Sequence, residues 1–587
     1  MGRHARESTA AAAGRLRWQT WLLGLAILVT RPSSGPAAAG ADHVGERQPV
    51  KIVVRADRTV GRVQPFWQFF GYDEANYTYA PEGRKLLNEI AALGPGPAHI
   101  RTHHLLTSGD GTPWLKWSSS GAYREDADGR PSYDWTILDR IFDTFRDAGV
   151  KPFVEIGFMP QALSIRPEPY QNPVVTRGVP KDAVGRGWAY PPKDYARWEK
   201  LVEAWARHCA ERYGRAEAES WYWELWNEPN IAYWRGTPAE FNRLYDHTAA
   251  AVKRVLPEAR IGGPHVAGTI GPNAEGFLRR FLEHCLRGTN AVTGRAGTPL
   301  DFVAFHAKGG TSLVGGHVRM NLGNHLRIVD HGFEIVASYP ELRKTPIILG
   351  ESDPDGCAAC SARFFPQNGY RNGAQYASYT VATFLRKLDL AERRGVRLEG
   401  ALTWAFTFPD QPWFDGFREL ATRGVAKPVL SAFRMFGRLE PGRVAVENAS
   451  GRSLDDLMKS SVRGRPDVDA FATRGDRALA VLVWHYHDDG APGPEVAVDL
   501  SLAGLPAQAA TAVLTHFRID DEHSNAHAAW LKMGSPQEPT PAQYAELQRA
   551  SELTLLEPAR TIELRQGSLS LPLRLPRQAV SLIRLQW

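Results

Sequence analysis

An α/β architecture, a (β/α)8 TIM barrel with an accessory β-sandwich domain, is the fold class this sequence predicts, on three observations. Short β-rich runs alternate with amphipathic helical stretches from about residue 66 to 437. Beyond about Leu439 that pattern gives way to short, often alternating strands separated by glycine and proline. The chain has 587 residues, more than one core usually holds, so several domains are expected.

The β runs fall at 66–71, 99–103, 152–157, 221–226, 260–263, 302–306, 347–350 and 400–406, with helical patterns such as 135–148, 195–213, 238–256 and 276–286 between them. Strands alternating with helices fit a parallel barrel. An open doubly wound sheet shares the alternation, but no glycine-rich phosphate loop follows the first strand. Two early strands, 50–55 and 60–63, precede the barrel and can join the sandwich. The expected organisation is a signal peptide over 1–39, N-terminal strands over 40–65, a catalytic barrel over 66–437 and a C-terminal sandwich over 438–587.

At the N-terminus a basic stretch precedes an apolar run of about a dozen residues, then a turn and the small-residue segment Ala37-Ala-Ala-Gly-Ala41. The run is shorter than the roughly 20 residues a bilayer span needs, so a cleaved leader and a secreted or periplasmic protein are expected. The formal charge is +6, but residues 1–39 carry five arginines against one glutamate and so hold four of those charges. The remaining two are too few to indicate nucleic acid or a membrane as partner. Four cysteines cannot staple a scaffold of this size. Cys357-Ala-Ala-Cys360 reads as a local disulfide, since a zinc site needs two more ligands at matching spacing. Cys209 and Cys285 read as buried helical residues. No metal site is expected.

The chemistry concentrates in two segments. In Trp221-Tyr-Trp-Glu-Leu-Trp-Asn-Glu-Pro-Asn230 an aromatic strand runs into Asn-Glu-Pro, where proline ends it. As fourth strand this sets Asn227 and Glu228 at the C-terminal rim, where barrel active sites lie. A carboxyl beside water-excluding tryptophans is expected to hold a proton and deliver it to a leaving oxygen. Glu224 alternates within the strand and reads as a supporting residue. In Thr345-Pro-Ile-Ile-Leu-Gly-Glu-Ser-Asp353 a buried aliphatic strand, the seventh, delivers Glu351 at its end. Strands four and seven face each other across an eight-membered ring. Carboxyls about 5–5.5 Å apart there cleave glycosidic bonds with retention, one as nucleophile and one as acid then base. Asp353 competes for the nucleophile role from two residues further out.

On these residues the chain resembles glycoside hydrolase family 39, which holds β-xylosidases and α-L-iduronidases. Trp226-Asn-Glu-Pro-Asn230 resembles the family's acid/base motif, and Gly350-Glu-Ser-Asp-Pro354 sits where its nucleophile is found. Arg101-Thr-His-His-Leu-Leu106 and Phe305-His-Ala-Lys-Gly309 resemble iduronidase segments. Tyr123-Arg-Glu-Asp126, Phe153-Val-Glu-Ile-Gly-Phe-Met-Pro160 and Arg518-Ile-Asp-Asp-Glu-His-Ser-Asn525 resemble the β-xylosidase branch. The resemblance implies a barrel with a sandwich, retention, an oligosaccharide substrate and no cofactor. It places His103, a sugar-contacting histidine, at the end of strand two, and His306 and Lys308 at the end of strand six. Trp404 in strand eight is expected to floor the sugar site, Asp410 to orient hydroxyls from the next loop, and Asn227 to bond the 2-hydroxyl. Lys308 has a plainer alternative, an ion pair with a rim acid such as Asp410. Trp114, Trp117, Trp188 and Trp234 are expected along the cleft. The expected activity is an exo-acting β-D-xylosidase on xylooligosaccharides. The alternatives are an iduronidase-like or arabinose-releasing enzyme of the same family and a carbohydrate-binding pseudoenzyme.

Overall fold

The computed structural model describes residues 48–114, 118–170, 186–404 and 411–587. The expected signal peptide, Trp117 and Asp410 lie outside the described residues. Residues 49–587 form one compact unit.

Among the described residues, eight parallel strands close a barrel: Phe69–Tyr72, His99–Thr102, Lys151–Ile156, Tyr222–Leu225, Arg260–Val266, Phe302–Lys308, Pro346–Asp353 and Arg397–Trp404. They pair in sequence order, and the ring closes where Leu402 meets Phe69. The helices between them begin and end on local signals. Pro238–Val255 starts with a capping box between Thr237 and Glu240 and a proline in its first turn. Thr136–Ala148 stops at Gly149, whose φ of 77° lies in the left-handed region that glycine reaches without strain.

Because alternate strand residues share a face, the barrel interior is layered. Phe69, Phe153, Tyr222, Phe302, Ile348 and Leu402 form an apolar layer. Two residues further along strands two, three and four, the inward positions are Arg101, Glu155 and Glu224, all wholly buried. Above strand one, Gly71 leaves room for the Trp404 indole; a Cβ there would overlap the ring and press on the Arg101 carbonyl. Strand seven continues to Asp353, three residues past the expected end. Its register against strand six slips between Leu349 and Glu351. Such a bulge re-aims the side chains that follow it. Gly350 permits it, since a Cβ at that position would overlap the His265 imidazole.

The second layer is a nine-stranded sheet of described residues. It runs in the order Leu555–Glu563, Thr511–Ile519, Val580–Gln586, Ala478–Tyr486, Asp467–Arg474, Gly442–Asn448, Val50–Arg62, Val496–Ala503 and Leu569–Leu575. Side chains from both halves, among them Ile52, Val481, Leu500, Leu514, Leu573 and Ile583, share one apolar core, so the sheet folds over itself as a sandwich. Val50–Arg62 is one strand with a register shift between Arg55 and Thr59, where two strands were expected. The chain leaves it for the barrel and returns to pair on both its edges. Helices Leu454–Ser460, Ala526–Lys532 and Pro541–Ala550 were not anticipated in this region. Their short spans between turn residues leave little periodicity to read. Trp530 and Leu547 pack against Trp413 and Phe414, so the last two helices brace the chain beyond strand eight.

Leu500 is fully buried in the sandwich core. Leu500→Ala is expected to cost about 2–5 kcal/mol in denaturant unfolding. KM, set at the barrel mouth, should stay at the wild-type value.

Candidate active site

Strand four delivers Glu228 through an unusual turn. Trp226 and Glu228 have φ of 67° and 46°, a left-handed conformation that side-chain-bearing residues adopt at a cost. The turn is held because the Glu228 amide donates to the His265 carbonyl at 3.0 Å and the Trp226 indole stacks on Phe158. Strand seven brings Glu351 in from the opposite side. One carboxylate oxygen of each glutamate and a nitrogen of His306 all lie within 4.8 Å of one another.

His306 sits between them. Its Nδ1 is 2.9 Å from Glu228 Oε1 and 3.5 Å from Glu351 Oε1. Burial holds its pKa down against the pull of both carboxylates, so the ring is neutral. Lys308 donates to Glu351 Oε2 and lies 3.7 Å from Asp353 Oδ2. Burial opposes the charge on Glu351, but Lys308, helped by Arg101 and by the ring hydrogens of His306 and His103, outweighs it. They hold this carboxyl well below the usual range.

Beneath the pair lies a buried ionic web, of which the sequence pointed only to Glu224, as a supporting residue. Arg101 donates to Glu224 at 2.5 Å and Asn227 Oδ1 at 3.2 Å, and lies 3.1 Å from Glu155 and 3.7 Å from Glu351. Burial pushes Glu155 well above the ordinary carboxyl value and Glu224 up to about 8, in each case against the attraction of Arg101. Burial thus favours the protonated form of both carboxyls, with Arg101 the cation that they share with Glu351. His265, kept neutral chiefly by burial, touches the second Glu224 oxygen. A readable signal existed: Glu155 and Glu224 are acids flanked by apolar residues within their strands, and such groups must find a cation or a proton.

Asn227 turns its amide oxygen to Arg101, a pure donor, which leaves its amide hydrogens for a ligand. His103 stands 3.9 Å from Glu351, between Asp73 at 2.6 Å and Glu155 at 3.0 Å, with its ring 4.1 Å from that of Trp404. Trp404 packs over Gly71, with its amide donating to Asp353 at 2.9 Å. Asp353 also accepts from Tyr376, so it is built into the wall of the site. Arg418, near Trp404 in sequence, is fully buried and donates to the Trp404 carbonyl at 2.6 Å. Trp188 and Trp234 are not cleft platforms. Their indole nitrogens bond the Pro167 and Thr237 carbonyls, and both rings are buried within the rim loops. Cys357 and Cys360 are bonded, and Cys209 and Cys285 are buried and free.

Two facing carboxyls at the mouth of a parallel barrel, one ionised beside a lysine and one at the open rim, define a retaining glycoside hydrolase. The chain belongs to the glycosyl hydrolases family 39, whose model matches residues 50–563. Enzymes of this family act with retention of configuration. A β-xylosidase of Caldicellulosiruptor saccharolyticus is 26% identical over 528 residues, covering 86% of this chain and 92% of that protein. The α-L-iduronidase of Homo sapiens is also 26% identical, over 90% of this chain and 76% of its own. A crystal structure of a monomeric β-xylosidase from Caulobacter crescentus CB15 superposes with a TM-score of 0.71 at 22% identity, over 92% and 99% of the two chains.

The raised Glu224 carboxyl predicts a pH effect on stability. Its folded pKa of about 8 exceeds the ordinary value, so its contribution is full at low pH and falls as pH rises to that point. Glu224→Gln removes the titration. Urea unfolding from pH 5 to 8 should show the variant gaining on wild type by up to about 1.4 kcal/mol per pH unit.

Proposed function

We propose that this protein is an exo-acting β-D-xylosidase that releases terminal xylose from xylooligosaccharides by double displacement. The approach of Glu228 and Glu351 to within 4.8 Å, with Lys308 on Glu351, carries the chemistry. Glu351 attacks the anomeric carbon as the bond to the leaving oxygen breaks, and Glu228 passes its proton to that oxygen. Water then enters on the Glu228 side and loses a proton to it. The oxygen that remains displaces Glu351 and returns the enzyme to its starting state. His306 Nδ1–H supports Glu228 when it is ionised and lies close enough to Glu351 to steady it as well. Asn227 is oriented to donate to the 2-hydroxyl, and Trp404 with His103 walls the sugar ring.

For the sugar, charge balance favours a neutral ring. A uronate carboxylate needs a cation to itself, and Lys308 already serves Glu351 and Asp353. Arg418 is committed to Trp404 and Asp355. The β-xylosidase of Caldicellulosiruptor saccharolyticus, aligned over 92% of its length, supports the same choice. The basic and apolar N-terminal pattern and the Cys357–Cys360 disulfide support an exported enzyme that acts on plant xylan fragments. N-terminal sequencing of the protein recovered from the medium or periplasm tests that location; a cytoplasmic protein with its leader intact would overturn it.

An aryl glycoside panel tests the substrate. Turnover of uronides but not xylosides would overturn the sugar assignment, and no turnover at all the enzyme. Glu351→Gln should lose at least about 10⁴-fold in kcat on every substrate, as expected for removal of the nucleophile. Glu228→Gln should lose about 10²–10⁴-fold on alkyl xylosides and xylobiose. It should lose much less in the first step on nitrophenyl xylosides, whose leaving groups need no proton.

Lys308→Met lifts a restraint that keeps Glu351 ionised, so the Glu351 pKa rises. A nucleophile is active above its pKa, and the acid limb of kcat/KM against pH should therefore move to higher pH. An unmoved acid limb would mean that Lys308 does not set the charge of Glu351.

A further inference from the structure

Six residues beyond Glu351, the Cys357–Cys360 disulfide closes a tight ring of chain in the loop after strand seven. The ring turns three carbonyls toward one wholly buried side chain. Arg371 donates to the oxygens of Cys357 at 2.7 Å, Cys360 at 3.1 Å and Ala358 at 3.3 Å. Its Nη1 also shares its hydrogens with the Gly416 carbonyl at 3.0 Å, and its Nη2 and Nε hold the Asp355 carboxylate. The Asp355 and Ala358 carbonyls in turn accept from Arg418, through its guanidinium and its amide respectively. Arg418 fixes the Trp404 carbonyl, and Asp353 fixes the Trp404 amide. Asp353 then stands 3.7 Å from Lys308, which holds Glu351.

We propose that the Cys357–Cys360 disulfide is a positioning element of the active site, acting through Arg371 and Arg418 on Trp404 and Asp353, and that its reduction lowers turnover without unfolding the enzyme. The physical reason lies in the guanidinium groups. A buried arginine needs nearly all its donors satisfied, and here three acceptors are presented in one fixed arc by the closed ring. A ring of four residues constrains the unfolded chain very little, so the bond contributes chiefly to local geometry. It is also reachable. Gly356 is exposed and Cys357 half-buried, whereas Cys209 and Cys285 are buried in helices.

Reduction is a two-electron exchange with a dithiol. A reagent thiolate attacks one sulfur, the second reagent thiol resolves the mixed disulfide, and the cysteines leave as two thiols while the reagent becomes a cyclic disulfide. The inference rests on the glycosidase reading but not on the choice of sugar, so any aryl glycoside that the oxidised enzyme hydrolyses serves as probe. The full-length enzyme is treated with dithiothreitol under native conditions, and thiols at 357 and 360 are counted by alkylation and peptide mapping. The expected result is a fall of about tenfold in kcat, as small displacements at a catalytic site produce, with recovery on reoxidation. The thermal unfolding midpoint should stay above the assay temperature. Full reduction with kcat within twofold of the oxidised enzyme would overturn the proposal, as would a loss of rate that follows global unfolding. The double variant Cys357→Ser, Cys360→Ser should match the reduced wild type and ignore dithiothreitol. Should it fail to fold, the wild-type reduction and reoxidation series decides alone. An oxidised enzyme without turnover on any glycoside would instead count against the glycosidase reading.

Discussion

One guanidinium, that of Arg101, ties together the groups on which this active site depends. It is wholly buried and reaches Glu155 and Glu224 in neighbouring strands, Asn227 at the rim and Glu351 across the barrel. A buried cation is costly unless its field is answered by charge and hydrogen bonds, and three carboxyls gathered round one arginine answer it in excess. Burial raises the pKa of the Glu155 and Glu224 carboxyls, whereas that of Glu351, with Lys308 on its other oxygen, is held low. The same web therefore stabilises the upper barrel layer and decides which carboxylate is the anion.

The architecture around this web keeps it dry and aimed. The apolar layer of Phe69, Phe153, Tyr222, Phe302, Ile348 and Leu402 seals it from below. Low local polarity strengthens each charge interaction above that layer. Glycines at 71 and 350 matter because a single Cβ at either would displace Trp404 or His265. The left-handed turn at Trp226 and Glu228 and the bulge before Glu351 set both glutamates outside regular strand geometry. Local backbone cost at such positions is carried by the barrel and buys a fixed separation between the two carboxyls.

The sandwich shares in this arrangement. Val50–Arg62 forms an interior strand of it before the barrel begins, and the barrel is thus an excursion between two strands of one sheet. The helical insertion carrying Trp530 and Leu547 packs against Trp413 and Phe414, just beyond strand eight. The Trp413 amide also donates to Gln537 at 3.0 Å. Support for the barrel mouth therefore comes from residues more than a hundred positions away in the chain.

The amino-acid sequence by itself was sufficient for the barrel and the sandwich, and it singled out the two glutamates, Glu228 and Glu351, that the structure brings together at the barrel mouth. Strand and helix periodicities are local, and Asn-Glu-Pro announces a strand end within a few residues, whereas Gly-Glu-Ser proved to lie within strand seven. Alternation also singled out Glu224 as a supporting residue. Only the tertiary structure decided how charge is shared, because that depends on which side chains meet across the barrel. Arg101, Glu155 and His265 lie in three different strands and become one network with Glu224 only when the ring closes. Trp188 and Trp234 likewise read as cleft residues until packing buried them in the loops. Lys308 shows the division most plainly. Its strand-end position is legible in one dimension, but its commitment to Glu351 and Asp353 arises from a neighbouring strand whose register a bulge has shifted.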